Sequence, residues 1–294
     1  MEKEPYLHSI NLNIHTDFPY LVLEVVNDHS YPRNPGFQVM HWHADLQFLY
    51  VWSGMVEIQT LDRTLRAEAG EGVFINKDVV HNVRRVGDCH YYSFLFPARF
   101  LTFYVGSPAE ALTDSITGNT SLPLCHLARQ DGWCGDVLAG LRRLVELEKR
   151  KGEFYEYEVL VQLCTLWLVM RKNMALPPKQ RENTVNARVK KILCYMEQHY
   201  AEDLTLTRLA ESANISKSEC YRCFRMSLDT APYQYLMEIR LSKAAQLLRE
   251  TEEPVGRIAA STGFHQVSHF GKCFREKTGY SPREYRRIKG QKQE

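Results

Sequence analysis

The sequence has 294 residues, of which 44% are hydrophobic and 24% are charged, and its formal net charge is +2. This length accommodates two domains, and this composition is ordinary for a globular protein. The small net charge conceals an asymmetry. Residues 184–294 carry 19 Lys and Arg against 13 Asp and Glu, whereas residues 1–183 carry 18 against 22. A basic C-terminal part beside an acidic N-terminal part favours a polyanionic partner for the former alone.

The sequence disfavours secretion and membrane insertion. Residues 1–5 show no cationic segment that leads into an apolar run, so we expect no signal peptide. The most apolar stretch, residues 159–170, is interrupted by Gln162 and is too short to cross a bilayer. We therefore expect a cytoplasmic protein whose eight cysteines are reduced thiols, with Cys220 and Cys223 as packing residues rather than metal ligands.

Residues 21–96 are typical of a β domain. Residues 39–51, 73–75 and 91–96 are rich in β-branched and aromatic side chains, and turn signals separate these segments. Many short strands at even spacing predict a sandwich or a small barrel.

Two helices and a linker follow the β domain. Apolar residues recur with helical spacing on both sides of Gly152, which predicts a helical hairpin over residues 131–174. Residues 175–184 combine prolines with polar residues, as linkers do. The predicted organisation is a β domain over residues 1–130, the hairpin, this linker, and a C-terminal domain over residues 185–290.

The C-terminal domain contains one helix-turn-helix pattern written twice, with an offset of 49 residues before the turn and 50 after it. The first copy comprises Leu209-Ala210, Asn214-Ile215, Phe224, Pro232 and Tyr235, and the second comprises Ile258-Ala259, Gly263-Phe264, Phe274, Pro282 and Tyr285. A long helix, predicted over residues 231–248, joins the copies. Such a pair of units can place two reading helices on one face of DNA, roughly 34 Å apart.

Local signals predict the first unit in detail. Thr205 or Thr207 is suited to cap its first helix, and Asn214 tolerates the left-handed conformation that ends it. Ser216 is suited to cap the second helix and to form a capping box with Glu219.

The second unit repeats this logic. Pro254 opens a helix, Gly263 makes the turn, and the next helix is predicted over residues 266–277. The outward polar residues of the two units are Lys217, Ser218, Tyr221, Arg222, Arg225, Gln266, Ser268, His269, Lys272 and Arg275. Such side chains suit base edges and phosphates, so these ten are candidate DNA contacts. On a single helix, exposure to solvent alone would explain such a polar stripe, but two matched helices favour DNA binding. If both helices enter consecutive major grooves, we expect the DNA to bend.

One longer pattern spans residues 188–288. It comprises Leu204-Thr205-Leu206, Leu209-Ala210, Ile215-Ser216-Lys217-Ser218, Tyr221-Arg222, Phe224, Tyr235-Leu236, Arg240-Leu241, Ala244-Ala245, Leu247-Leu248, Ile258-Ala259, Gly263-Phe264, Phe270, Phe274, Gly279-Tyr280-Ser281-Pro282 and Tyr285-Arg286. This pattern resembles the DNA-binding domain of the AraC/XylS family. The resemblance implies a bacterial transcription regulator that binds double-stranded promoter DNA and can contact RNA polymerase. The positions that it implies face bases are Ser218, Tyr221, Arg222, Ser268, His269 and Lys272.

A second pattern covers roughly residues 20–100. Its two parts are Gly36-x4-His41-Trp42-His43-x3-Gln47-x6-Gly54, and Gly70-Glu71-Gly72 followed by Asn76 and His81-Asn82. They resemble the two motifs of the cupin fold, a double-stranded β-helix. The implied fold class is α+β multidomain: an N-terminal cupin-like β-barrel with a helical hairpin, and a C-terminal all-α domain with two helix-turn-helix units.

The candidate effector pocket lies at the histidines. Residues 41, 43 and 47 share parity on a strand, so their side chains point to one face. The predicted pocket comprises His41, Trp42, His43, Gln47 and His81, which can hydrogen-bond a sugar or a similar polar ligand. The aromatic residues Tyr50, Trp52 and Phe74 are candidate walls of this pocket or ordinary core, depending on the strand register.

The alternative is a metal site at His41, His43 and His81. Metal-binding cupins usually carry Glu at the position of Gln47, and an uncharged amide is a poorer ligand for a divalent cation. Cupins attached to DNA-binding domains of this kind also resemble sensors more than enzymes. We therefore expect no cofactor and no catalytic residue.

The sequence thus predicts a DNA-binding transcription regulator that is controlled by a small-molecule effector. It leaves open whether the protein activates transcription, represses it, or does both. The alternatives are a cupin metalloenzyme fused to a DNA-binding domain and a ligand-independent regulator. Residues 1–20 are a candidate arm over the pocket. The hairpin matches the place where family members dimerise, with Leu138, Leu141 and Val145 as the candidate stripe; packing of this stripe onto the barrel is the competing explanation. A homodimer would gain effective concentration on a paired DNA site.

Overall fold

The computed structural model describes residues 7–8, 13, 16–32, 40–130, 132–178, 184–228 and 230–290. The chain divides into two compact units, of which one spans His8–Glu182 and the other includes Asn183–Glu294. Gly36, residues 179–183 of the predicted linker, and most of the candidate arm over residues 1–20 lie outside the described residues. None of the described helices is both long enough and apolar enough to cross a lipid bilayer.

The β domain consists of eleven strands within the described residues. They are β1 (Leu7–His8), β2 (Leu21–Val26), β3 (His29–Tyr31), β4 (His41–Trp42), β5 (Leu46–Ser53), β6 (Met55–Thr60), β7 (Thr64–Glu68), β8 (Gly72–Ile75), β9 (His81–Arg85), β10 (His90–Phe96) and β11 (Leu124–Leu127). One sheet has the order β1-β4-β9-β6-β7 and the other the order β11-β8-β5-β10-β2-β3. The predicted fold class is confirmed, with the cupin-like domain built as two antiparallel sheets rather than as one closed barrel over the described strands.

The described part of the apolar segment 39–51 contributes two short strands to different sheets. β4 pairs His41 with His81 in the five-stranded sheet, whereas β5 starts at Leu46 in the six-stranded sheet. Between them the Nδ1–H group of His43 donates to the backbone oxygen of Asp45 at 2.9 Å. A polar corner therefore separates the two strands within this apolar segment.

The central strand β5 is buried on both of its faces. Leu49 and Val51 belong to the aliphatic core between the two sheets. Phe48 and Tyr50 point the other way, into the core that the six-stranded sheet shares with the helices. Such a strand has no solvent face, and this explains its continuous apolar sequence.

A helical hairpin covers the outer face of the six-stranded sheet. It consists of α2 (Gly132–Arg150) and α3 (Tyr155–Asn173), and a short 3-10 helix (Ala98–Leu101) and α1 (Pro108–Thr117) precede it. The candidate dimer stripe Leu138, Leu141 and Val145 is buried in the core beneath this hairpin. Packing onto the β domain, the competing explanation, therefore describes these three residues.

The C-terminal unit is all helical in its described part. Its helices are α4 (Thr184–His199), α5 (Leu206–Ser212), α6 (Lys217–Leu228), α7 (Pro232–Glu250), α8 (Val255–Ser261), α9 (Val267–Thr278) and α10 (Pro282–Gly290). Thr205 is the N-cap of α5, since its side chain accepts a hydrogen bond from the backbone N–H of Arg208 at 3.2 Å. Asn214 and Gly263 make the two turns with φ of 55° and 82°. The two predicted helix-turn-helix units are present.

The buried residues of the helix-turn-helix units agree with the sequence analysis. Cys220 and Cys223 are buried in the first helix-turn-helix unit, as predicted for small packing residues, and all eight cysteines are free thiols. In the second unit Phe264, Phe270 and Phe274 form one cluster with three residues of α7, which are Leu241, Ala244 and Leu248.

Candidate functional site

The first reading helix, α6, presents a polar face to solvent. The predicted contacts Lys217, Ser218, Tyr221, Arg222 and Arg225 are all exposed. The hydroxyl of Ser216 accepts from the backbone N–H of Glu219 at 3.1 Å, so this residue caps the helix as predicted.

The second half of the predicted capping box is replaced by ion pairs. The carboxylate of Glu219 accepts from Nε and Nη2 of Arg222, both at 2.8 Å, and from Nη1 of Arg188 at 2.8 Å. The hydrogen bonds from Arg222 hold the pKa of Glu219 below its ordinary value. Charge-assisted bonds to a guanidinium are stronger than a bond to a neutral backbone N–H, and this explains the exchange. The guanidinium of Arg222, which is predicted to contact bases, is therefore hydrogen-bonded to Glu219.

A second arginine on α6 rests on an aromatic ring. Nε of Arg225 donates to the hydroxyl of Tyr221 at 3.2 Å, and its guanidinium carbon lies 5.6 Å from the centroid of that ring. This contact holds the guanidinium of Arg225 against an exposed aromatic ring of α6.

The second reading helix, α9, matches the first in exposure. The predicted contacts Gln266, Ser268, His269, Lys272 and Arg275 are all exposed. Lys272 lies 3.9 Å from Glu276, an exposed pair that costs little to break. Nε2 of His269 lies 3.3 Å from Sγ of Cys273, and its ring packs edge-on to Phe264. Thus all ten predicted DNA contacts are exposed to solvent.

The N-terminal unit holds a buried polar cluster, which we define as His41, His43, Gln47, His81 and Ser93. All five side chains are buried, and His81 is fully inaccessible. Ligand atoms of the three histidines lie within 4.8 Å of one another. The register brings His41 opposite His81, so β4, β5, β9 and β10 each contribute to one end of an otherwise aliphatic interior.

The hydrogen bonds of this cluster fix its tautomers. Nδ1 of His43 donates to the backbone oxygen of Asp45 and Nδ1 of His81 to that of Val79, each at 2.9 Å. Burial and the neighbouring imidazoles hold the pKa of His81 well below its ordinary value, so its ring is neutral. A neutral ring that donates through Nδ1 has a lone pair on Nε2.

The Nε2 atoms of His43 and His81 converge on one amide. Oε1 of Gln47 lies 2.9 Å from Nε2 of His43 and 3.0 Å from Nε2 of His81, while its Nε2 contacts the hydroxyl of Ser93. Two arrangements satisfy these groups. Either the amide turns its NH2 group towards both imidazoles and accepts from Ser93, or a divalent cation takes the lone pairs. The residues therefore fit a metal of the imidazole-binding kind as well as a hydrogen-bonded network.

The predicted aromatic walls do not join this cluster. Tyr50 and Phe74 belong to the core beneath the hairpin, and the Phe74 ring lies 5.7 Å from that of Trp167. Trp52 also faces α2, because Nζ of Lys149 lies 4.9 Å from its centroid. Alternation along each strand sends these rings away from the interior, so ordinary core packing describes Tyr50 and Phe74. Of the predicted aromatic residues Trp42, on β4 beside His41, is nearest in sequence to the cluster, and it is half-buried.

Known protein families match both units. A profile of the AraC-like ligand binding domain matches residues 29–129, and a profile of a helix-turn-helix domain matches residues 209–288. Together they cover more than half of the chain. The chain belongs to the AraC/XylS family. It is therefore a DNA-binding transcription regulator with a ligand-binding domain, and neither profile describes an enzyme.

Relatives within the AraC/XylS family match different shares of the chain. The uncharacterised HTH-type transcriptional regulator YdeC of Bacillus subtilis is 27% identical over 86% of this chain and 87% of its own length. The HTH-type transcriptional activator RhaS of Escherichia fergusonii is 36% identical over 41% of this chain, and that match spans 42% of RhaS. Among solved structures, ToxT of Vibrio cholerae is 13% identical, with a TM-score of 0.47 over 91% of this chain and 96% of its own.

Two substitutions on α6 test how this AraC-family member reads DNA. Arg222→Ala is expected to weaken binding to a duplex selected in vitro by about 1–3 kcal/mol and to relax the base preference at one position. Glu219→Gln releases the fork of Arg222 and removes a negative charge from the same face, so affinity for random duplex is expected to rise and selectivity to fall.

Titrations of both variants against selected and random duplex check these outcomes. Lys191→Ala is the matched control, because it removes an exposed cation from α4, outside the ten predicted contacts. Equal losses on selected and random duplex for Arg222→Ala would assign Arg222 to phosphate contact and contradict base reading.

Proposed function

We propose that a small polar effector binds at the buried polar cluster and changes the DNA binding of this regulator. The observation that carries the proposal is the burial of three imidazoles, an amide and a hydroxyl beside the largely apolar core between the two sheets. Buried polar groups cost stability unless they are hydrogen-bonded. A set of groups that can both donate and accept is suited to exchange its internal bonds for those of a ligand rich in hydroxyls, such as a sugar.

The DNA-binding side of the proposal rests on the two matched helices. Their ten exposed polar residues supply both cations for phosphates and side chains for base edges. RhaS is named as an activator, and this supports activation of transcription, with contact to RNA polymerase, as the proposed output. We propose the cytoplasm as its location, because a regulator of this kind acts on the bacterial chromosome. Effector control then requires that the effector bind two states of the protein with different affinity.

A thermal-shift screen of sugars and related metabolites tests the effector. One compound is expected to raise the melting temperature, since a ligand at a hundredfold excess over its Kd adds about 2.7 kcal/mol of stability. The variant Gln47→Met retains the volume but removes the amide, and it is expected to abolish this shift.

The control is Gln130→Met, which removes an exposed amide from the segment that follows β11. If no compound shifts the melting temperature of the unsubstituted protein, a ligand-independent regulator is favoured. If Gln47→Met responds like the unsubstituted protein, the effector binds elsewhere.

A metal site is the second candidate, and the convergence of His43 and His81 lone pairs on one point favours it. The Nδ1 bonds of these rings to backbone oxygens are the second contacts that metal-bound imidazoles make. A bound cation could hold an effector in the cluster. A metalloenzyme, the alternative function, would also require such a cation.

Elemental analysis of protein purified without chelator separates the two candidates. A resident metal is expected to appear at about one ion per chain and to vanish in the variant His43→Gln/His81→Gln. The hydrogen-bonded network instead predicts metal-free protein whose melting temperature is unchanged by added zinc or chelator. Metal at one ion per chain in the double variant would place the ion elsewhere.

We also propose a homodimer, formed through the outer face of α3. Four large apolar residues lie exposed along this helix or at its start: Phe154 (64%), Tyr157 (76%), Val161 (64%) and Leu168 (53%). The opposite face of α3 packs into the core through Val159, Leu163 and Leu166. A helix that is apolar on both sides has a face without a partner inside its own unit.

A second copy of this helix complements that face. In an antiparallel pair about a twofold axis, a contact between residues 157 and 168 implies a contact between residues 161 and 164. The same register places Glu153, which precedes one helix, beside Lys172 at the basic end of the other. One arrangement therefore pairs Tyr157 with Leu168 and Glu153 with Lys172.

Val161→Glu is expected to disrupt this dimer, because the axis brings two new carboxylates together in an apolar interface. Sedimentation equilibrium should show dimerisation weakened tenfold or more. Leu112→Glu, on exposed α1, is the matched control and should behave like the unsubstituted chain. A dimer that survives Val161→Glu unchanged would contradict this interface.

A further inference from the structure

One charged side chain lies buried at the junction of the two helix-turn-helix units. Arg240, on α7, is only 6% exposed. Its Nε donates to the backbone oxygen of Tyr200 and its Nη2 to that of Glu202, each at 2.7 Å. Both oxygens belong to the segment between α4 and α5, so the guanidinium joins α7 to the first unit.

The turn of the second unit lies against the same guanidinium. A Cβ atom placed on Gly263 would lie 2.8 Å from Cζ and Nε of Arg240 and 2.8 Å from the backbone oxygen of Tyr200. The φ of Gly263 is 82°, which also favours glycine. A left-handed turn alone would accept Asn, as Asn214 shows in the first unit. The close approach to Arg240 is a further constraint that only the second turn carries.

The environment of Arg240 is costly for a charge. Burial lowers the pKa of its guanidinium, and the nearby charges of Tyr233 and Asp203 act in the opposite direction. A buried ion with neutral partners contributes little stability, but it fixes direction, because the planar fork bonds only along its own plane. Arg240 is therefore suited to fix the orientation of the segments that it joins rather than to stabilise the domain.

Other contacts hold the same junction. Nε2 of His265, in the second turn, lies 2.7 Å from the carboxylate of Asp203, although both groups are exposed. Nζ of Lys243 lies 2.7 Å from Glu197 of α4, and both side chains are largely buried. The segment between α4 and α5, the helix α7 and the second turn are thus joined around one arginine.

We propose that Arg240 fixes the orientation of α9 relative to α6 and thereby sets the spacing between two DNA half-elements that the protein accepts. This inference rests on the proposed use of both helices for base reading. One added base pair rotates the second half-element by about 34° and moves it by about 3.4 Å. A reader whose two probes are fixed cannot follow this change, whereas a reader with a loosened junction can.

The experiment uses the full chain and a duplex obtained by in vitro selection in which two half-elements have been mapped. Three probes are compared: this duplex, one with a base pair inserted between the half-elements, and one with a base pair removed. The unsubstituted protein is expected to bind the altered probes on the order of tenfold more weakly. Arg240→Lys retains the charge but loses the fork, and its discrimination is expected to fall below about threefold.

Thr262→Val is the matched control. Thr262 is buried one residue before Gly263, but its hydroxyl bonds only to Ile258 and Ala259 of its own helix among the described residues. The control should lose stability yet keep the spacing preference. Thermal unfolding of each variant is measured alongside. If Arg240→Lys does not fold, Gly263→Ala displaces the second turn while keeping Arg240, and a changed spacing preference is expected.

The outcomes are distinct. Spacing discrimination that persists in Arg240→Lys, or equal losses on all three probes, would overturn the role of Arg240 while leaving two-helix reading intact. A selection that yields only one half-element would contradict the proposed reading by both helices itself.

Discussion

The DNA-binding unit depends on the burial of α7 against both helix-turn-helix units. Tyr235, near its start, packs edge-on to Phe224 of the first unit at 6.0 Å between centroids. Leu241, Ala244 and Leu248, further along, belong to the core of the second unit. Neither seven-residue helix, α5 or α8, has the length to be stable alone. One shared helix therefore supplies packing to both, and the two reading helices are built on a common support.

The helix-turn-helix units could be predicted from the sequence because their determinants are local. Asn214 and Gly263 adopt the left-handed conformation at the predicted positions, and Thr205 and Ser216 cap the predicted helices. Glu219 was assigned to a capping box instead of an ion-pair cluster, because Arg188 approaches from another helix and no local signal shows this contact. The role of Arg240 escaped prediction for the same reason.

The β domain was predictable in class but not in register. Parity correctly joined His43 with Gln47, but residues 39–51 span two sheets, and the corner at Asp45 is visible only in three dimensions. Tyr50 and Phe74 have side chains that suit either a pocket or a core. The hairpin decides between these roles, since it covers the outer face of the sheet and recruits both rings. Sequence periodicity cannot show which face a helical layer will cover.

The double burial of β5 restricts which of its residues can change independently. Along the strand, odd-numbered positions from Gln47 to Val51 face the interior between the sheets, and even-numbered positions from Phe48 to Tyr50 support the hairpin. A one-residue slip would exchange these two sets and turn hairpin anchors towards the other sheet. Evolution of the interior is therefore confined to alternate residues of this strand, because the others are committed to the helical layer.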